Sequence, residues 1–93
     1  WIIVTRGAEG VEGFDGRETL HAVAPKIQVR NPIGSGDAVT AGVACALLRG
    51  QSLAEALRLG TALGTANCLN LYPGRIEPGA HRETVDRVEL KEL

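Results

Sequence analysis

The chain has 93 residues, 44% of them hydrophobic but only 3% aromatic, so one small core of Ala, Leu, Val and Ile is expected. Ten basic residues against eleven acidic ones exclude the basic excess of a nucleic-acid surface. No apolar run approaches the roughly 18 residues of a membrane span, and no basic start followed by an apolar run marks a secretory leader, so a soluble, cytoplasmic protein without membrane or nucleic-acid partners is expected.

Residues 1–5, WIIVT, form an apolar run of strand type. A strand this apolar belongs inside a sheet with neighbours on both sides, which 93 residues supply poorly. The chain is therefore expected to be the C-terminal piece of a longer protein. Arg6 to Gly10, RGAEG, follows as a turn suited to close approach by a phosphate. Val11–Phe14 and Arg17–Ala22 flank Asp15-Gly16 and predict a β-hairpin. After Pro25, Ile27-Gln28-Val29 predicts a short strand.

A helix is expected from about Gly36 to Arg49, stopped by Gly50. It is apolar or small nearly all round, which predicts cover on most sides. Ser52-Leu53-Ala54-Glu55 has the spacing of a capping box and opens a second helix, expected to run to about Leu71 and to end at Pro73-Gly74. Gly60 and Gly64 lie on one face of it, leaving a groove for another backbone or for a flat ligand, with packing the preferred explanation. From His81 to Leu93 the expectation is a short helix and a last strand, Val88-Glu89-Leu90. Cys45 and Cys68 sit in apolar helical patterns and are expected to be buried small hydrophobes. His21 and His81 lack metal-ligand spacing, so they are expected to be ordinary surface or turn residues, and no metal site is expected from this chain. The order of elements gives an α/β layer arrangement.

The segment that carries chemistry is Asn31-Pro32-Ile33-Gly34-Ser35-Gly36-Asp37. A helix start offers free N–H groups and the positive end of the macrodipole, and so binds anions. Gly34 and Gly36 remove the Cβ atoms that would block approach, and the small Ser35 is expected to add its own amide. Asp37 has two explanations. It complements the helix dipole, or it faces a hydroxyl awaiting phosphorylation and accepts its proton while the helix start stabilises the transferred phosphoryl group. No Walker-type G-x-x-x-x-G-K-[ST] is present, and Gly34 to Val39 lacks the third small residue of a dinucleotide fingerprint.

Asn31 to Asp37, continued by Ala41-Gly42-Val43-Ala44, resembles the C-terminal signature of the PfkB/ribokinase-type sugar kinases. Thr5 to Gly10, directly after a strand, is similar to the nucleotide loop of that family. The resemblance runs through nearly the whole chain and corresponds to the last third of a typical member. It implies a ribokinase-like fold, of which residues 1–93 form the C-terminal nucleotide-binding and catalytic portion of a three-layer α/β/α sandwich. It implies Asp37 as catalytic base, the backbone of Gly34, Ser35 and Gly36 as anion hole, and Thr5, Gly7 and Gly10 along the phosphate and ribose side of ATP. Thr61 falls where many members carry an Asn near the adenine. Many members also open the signature with Asp and bind a monovalent cation there, whereas this chain has Asn31. The Asn-Pro-Ile-Gly-Ser-Gly-Asp form is most similar to the phosphosugar branch, the 1-phosphofructokinase and tagatose-6-phosphate kinase types.

The activity implied is transfer of the γ-phosphate of ATP, with Mg²⁺, to a sugar or sugar phosphate. The sugar pocket and lid precede this region in the family, so the piece alone is expected to be inactive and prone to self-association as a homo-oligomer. Two other readings of the same residues are a nucleotide- or anion-binding module without catalysis, and an α/β structural domain whose Gly-Ser-Gly-Asp is only a helix start.

Overall fold

Alternating apolar residues and tight turns draw the first 23 residues into an antiparallel meander. In the computed structural model, which describes residues 1–27, 30–69, 79 and 81–93, β1 (Ile2–Thr5), β2 (Val11–Phe14) and β3 (Thr19–Val23) pair in chain order. β4 (Glu89–Glu92) returns from the far end of the chain to pair antiparallel with β3. Among the described residues there are three α-helices: α1 (Ser35–Leu48), α2 (Leu53–Cys68) and α3 (Arg82–Arg87). The sequence places β4 one residue early. Ile27 is not in a strand, and Gln28, Val29, Leu71 and Pro73-Gly74 lie outside the described residues.

The period-2 pattern decides which face carries the helices. Register lines up Ile3, Gly13 and Leu20 in one row, and Thr5, Val11, Ala22 and Leu90 in another. These rows meet α2, whose Leu53, Ala56 and Leu57 are buried against them. Gly13 leaves the room that Leu53 and Leu57 occupy: a Cβ there would lie 2.9 Å from one and 3.0 Å from the other. The opposite row carries Ile2, Val4 and Phe14, all exposed.

Among the described residues, β1 has only one of the two neighbours its apolar pattern calls for: it forms the edge of the sheet and pairs with β2 alone. Ile3 packs against the core on the helix side, while Ile2 and Val4 on the other face lie open, Ile2 at 62% exposure.

The β2–β3 connection corrects an expectation. Phe14 pairs with Thr19, so four residues rather than two make the turn. Asp15 Oδ1 accepts the amides of Arg17 at 2.8 Å and Glu18 at 2.9 Å, an Asx turn that replaces the two-residue Asp-Gly form. The Glu18 and Arg17 N–H groups also hold the Asp15 carboxyl below its ordinary range.

α1 packs on α2 through Val39, Gly42, Val43 and Ala46, while Ala41, Ala44, Leu47 and Leu48 are exposed. Its all-round apolar pattern predicts more cover than the described residues provide. The helices approach so closely at Gly42 and Gly60 that a Cβ on Gly42 would stand 2.7 Å from Gly60 Cα. Packing thus accounts for Gly60. Gly64 serves two purposes: it sits against Val39 and borders the cleft described below. Ser52 caps α2, its Oγ accepting the Glu55 amide at 3.2 Å.

Candidate functional site

Two turns and one helix face enclose a mostly apolar cleft of about 640 Å³. The first turn leaves β1 at Thr5. Arg6 N–H donates to Gly10 O at 2.8 Å and Gly10 N–H to Gly7 O at 3.1 Å, which curls residues 7–9 into a single 3-10 turn. Gly10 has φ 106°, and a Cβ on it would collide with the Ala22 carbonyl of β3, so only glycine suits the position. His21 of β3 ties this turn down: its Nε2 donates to Glu9 O at 2.7 Å. That role for His21 is structural and was not visible in sequence, because the partner is a backbone carbonyl twelve residues away.

The second turn runs into α1. Gly34 is its N-cap, in the left-handed region at φ 84°. Ile33 N–H donates to Asn31 Oδ1 at 3.0 Å, and Ser35 Oγ donates to Pro32 O at 2.6 Å. The Ser35 amide also donates to Pro32 O, at 3.2 Å, so it is occupied within the turn and does not join an open cradle as the sequence leads one to expect. Among the described residues, the amides of Gly34, Gly36 and Asp37 meet no acceptor. They are the free donors of a helix start, with the dipole behind them.

The third wall is one face of α2. Thr61, Gly64, Thr65 and Cys68 recur at helical spacing and all border the cleft. Thr65 Oγ1 donates to Thr61 O at 2.9 Å and is satisfied. Thr61 Oγ1 is not: the residue is 3% exposed, and its hydroxyl has no partner among the described residues. A buried hydroxyl without a partner costs free energy.

Of the residues singled out in sequence, Thr5, Gly7, Gly10, Ser35, Gly36 and Thr61 line this one cleft. Gly34 and Asp37 do not line it. Asp37 is exposed, one residue beyond Gly36 in the first turn of α1. Sequence reasoning missed Lys26 and Cys68, which also line the cleft. Lys26 stands alone between Pro25 and Ile27, with no pattern to mark it. Cys68 is only partly buried and contacts Ser35 Oγ at 2.9 Å, so it is not the buried hydrophobe expected. The seven-residue spacing from Thr61 was the available signal. Cys45 is likewise only partly buried, and both cysteines are free thiols. Among the described residues no three His, Cys, Asp or Glu side chains group as a metal site, and no helix is long and apolar enough to cross a membrane.

Residues 1–78 match the family model described as pfkB family carbohydrate kinase. Over all 93 residues the chain is 33% identical to a tagatose-6-phosphate kinase of Staphylococcus epidermidis, and it spans 30% of that protein's length. Among solved structures, phosphofructokinase-2 from Escherichia coli superposes with a TM-score of 0.86 at 25% identity, over 91% of this chain and 28% of the other. A carbohydrate kinase from Agrobacterium tumefaciens gives 0.75 at 28% identity, over 98% of this chain and 31% of its own. The chain belongs to the pfkB family of carbohydrate kinases and has the ribokinase-like α/β fold, of which it forms a part.

Proposed function

We propose that residues 1–93 are the C-terminal nucleotide-binding and catalytic portion of a cytoplasmic, ATP-dependent kinase that phosphorylates a sugar or sugar phosphate. The observation that carries this is the convergence on one cleft of the Thr5–Gly10 turn, the glycine helix start and the unpartnered Thr61 hydroxyl. Its volume of about 640 Å³ is of the size small-molecule sites have. In this reading Thr5, Gly7 and Gly10 border the phosphate and ribose side, and Thr61 supplies a hydrogen bond toward the base. The open amides at 34, 36 and 37 receive the negative charge of the moving phosphoryl group. Magnesium enters with the nucleotide, held chiefly by its phosphates.

Asp37 is the proposed base. The acceptor hydroxyl attacks the γ-phosphorus, the bond to the ADP oxygen breaks, and the hydroxyl proton passes to the Asp37 carboxylate. Asp37 is exposed and next in sequence to the cleft-lining Gly36, which suits an acceptor that arrives from a side distinct from the nucleotide. The same exposure is the observation that favours a second reading, a nucleotide-binding module without catalysis.

The sugar pocket is proposed to come from residues upstream in the full-length protein, so this portion alone binds no acceptor and transfers nothing. Assembly into homo-oligomers is proposed as well; the phosphofructokinase-2 of Escherichia coli has a tetrameric inhibited form.

Asp37→Asn in the full-length protein separates the two readings. General base catalysis contributes about 10²- to 10⁴-fold, so kcat is expected to fall by about that factor while ATP affinity stays within a few-fold. Turnover that survives the change removes Asp37 as base. Absence of saturable ATP binding in the unmodified protein removes both readings.

A further inference from the structure

We infer that the last turn of α2 is a positioning element for the proposed transfer turn, with Asn67 and Cys68 as its positioning residues. This rests on the kinase reading of the Gly34–Asp37 turn.

The turn does not fix itself. Its N-cap is a glycine, and no side chain caps the first turn of α1. Glycine is also the residue with most conformational freedom to lose. Local bonds hold residues 31 to 35 to one another, but they do not fix the turn against the rest of the fold.

The anchoring comes from two adjacent residues of α2. The Cys68 carbonyl, an orphan at the helix C-terminus, accepts the amides of Arg30 at 2.8 Å and Asn31 at 3.1 Å. Asn67 is fully buried and donates its carboxamide N–H to Ile33 O at 2.9 Å, across 34 residues of sequence. Ser35 has one hydroxyl hydrogen, and it goes to Pro32 O. The 2.9 Å contact with Cys68 therefore has the thiol donating to Ser35 Oγ. Positions 30, 31, 33 and 35 are all held by residues 67 and 68. One and two turns earlier, Thr65 and Thr61 of the same helix border the cleft. α2 thus walls the proposed nucleotide site and sets the register of the turn that faces the moving phosphoryl group. Small displacements of such a turn are costly: about 1 Å can cost 10²-fold in rate.

The test uses the full-length protein. Asn67→Asp replaces the donor with an acceptor facing the Ile33 carbonyl. Expected is a fall in kcat of about 10- to 100-fold, with KM for ATP within about threefold of wild type. Amide exchange at Ile33 and Ser35, whose N–H groups are bonded within the turn, should accelerate at least about tenfold while Val43 to Ala46 keep their protection. A gentler pair covers the case in which Asn67→Asp does not fold. Cys68→Ala removes the donor to Ser35 and should lower kcat several-fold, and Cys68→Ser, which restores an O–H donor, should recover most of it. Equal behaviour of Cys68→Ala and Cys68→Ser, or losses confined to thermal stability, would overturn the inference. If wild type transfers phosphate to no acceptor, the kinase reading fails, and amide exchange alone decides the positioning role: unchanged exchange at Ile33 and Ser35 overturns it.

Discussion

Gly42→Ala adds one methyl group where two helix backbones touch. The new Cβ would lie 2.7 Å from Gly60 Cα, 3.0 Å from Gly60 N and 3.0 Å from a Leu63 methyl. Carbon atoms pack best at about 3.5–4.0 Å, so the shortfall is about 1 Å against an atom that cannot rotate away. Relief requires α1 and α2 to separate. Overpacking of this kind costs about 1–3 kcal/mol, and the close backbone contact argues for the upper part of that range. Replacing a mid-helix glycine by alanine returns about 1 kcal/mol, which leaves a net loss of about 1–2 kcal/mol. Gly36→Ala is the control. It is the same chemical change in the same helix, but a Cβ there meets nothing within 4 Å. Its stability should hold or rise by up to about 1 kcal/mol, while nucleotide binding falls because the methyl enters the cleft mouth. Thermal unfolding followed by circular dichroism reads both variants, at about 4–8 °C of melting shift per kcal/mol for a chain of this size. If the two variants shift stability in the same direction by similar amounts, the close helix crossing is not the constraint described.

Thr61→Val keeps the shape of the side chain and removes the unpartnered hydroxyl. Stability should hold or rise by about 1 kcal/mol, and ATP affinity measured by titration should weaken about 3- to 10-fold, the value of one net hydrogen bond; unchanged affinity would show that Thr61 does not meet the nucleotide. Asp15 supplies a pH prediction. Its carboxyl is held below the ordinary range by the amides of Glu18 and Arg17. The stability it contributes is therefore present above the unfolded value of about 3.9 and is lost as pH falls through the lower folded value. The urea midpoint of wild type relative to Asp15→Asn should shrink on acidification in that window, and a difference constant from pH 7 to pH 2 would exclude the mechanism.

Local chemistry made most of the fold legible. The alternation in Val11–Phe14, the Ser52 cap and the small-residue periodicity of both helices each depend on near neighbours, and each appears in the structure close to where the sequence sets it. Misreadings arose where the outcome depends on distant partners. Ile2 and Val4 read as interior because they are apolar, but exposure is decided by what packs over the face of the sheet, and on that face Phe14 is exposed too. Asp15-Gly16 read as a two-residue turn because the signal is strong, while the carboxylate bonds to Arg17 and Glu18 lengthen it to four. The glycine turn announced itself through residue types that a plain helix start does not need. His21, Lys26 and Cys68 gave no such notice, since each acquires its place only when separate elements meet.

The polar surface that would face a phosphate here is built largely from main chain, and the glycines around it work by what they lack. A survey that trims side chains to find important positions would therefore pass over most of this region. The sensitive substitutions are those that add atoms, at Gly10, Gly34, Gly36 and Gly64, where a single extra carbon meets a carbonyl, a left-handed backbone or the opening itself. Drift at such positions is restricted by geometry before it is restricted by chemistry, so relatives that differ in acceptor could keep this corner nearly unaltered while the rest of the protein diverges.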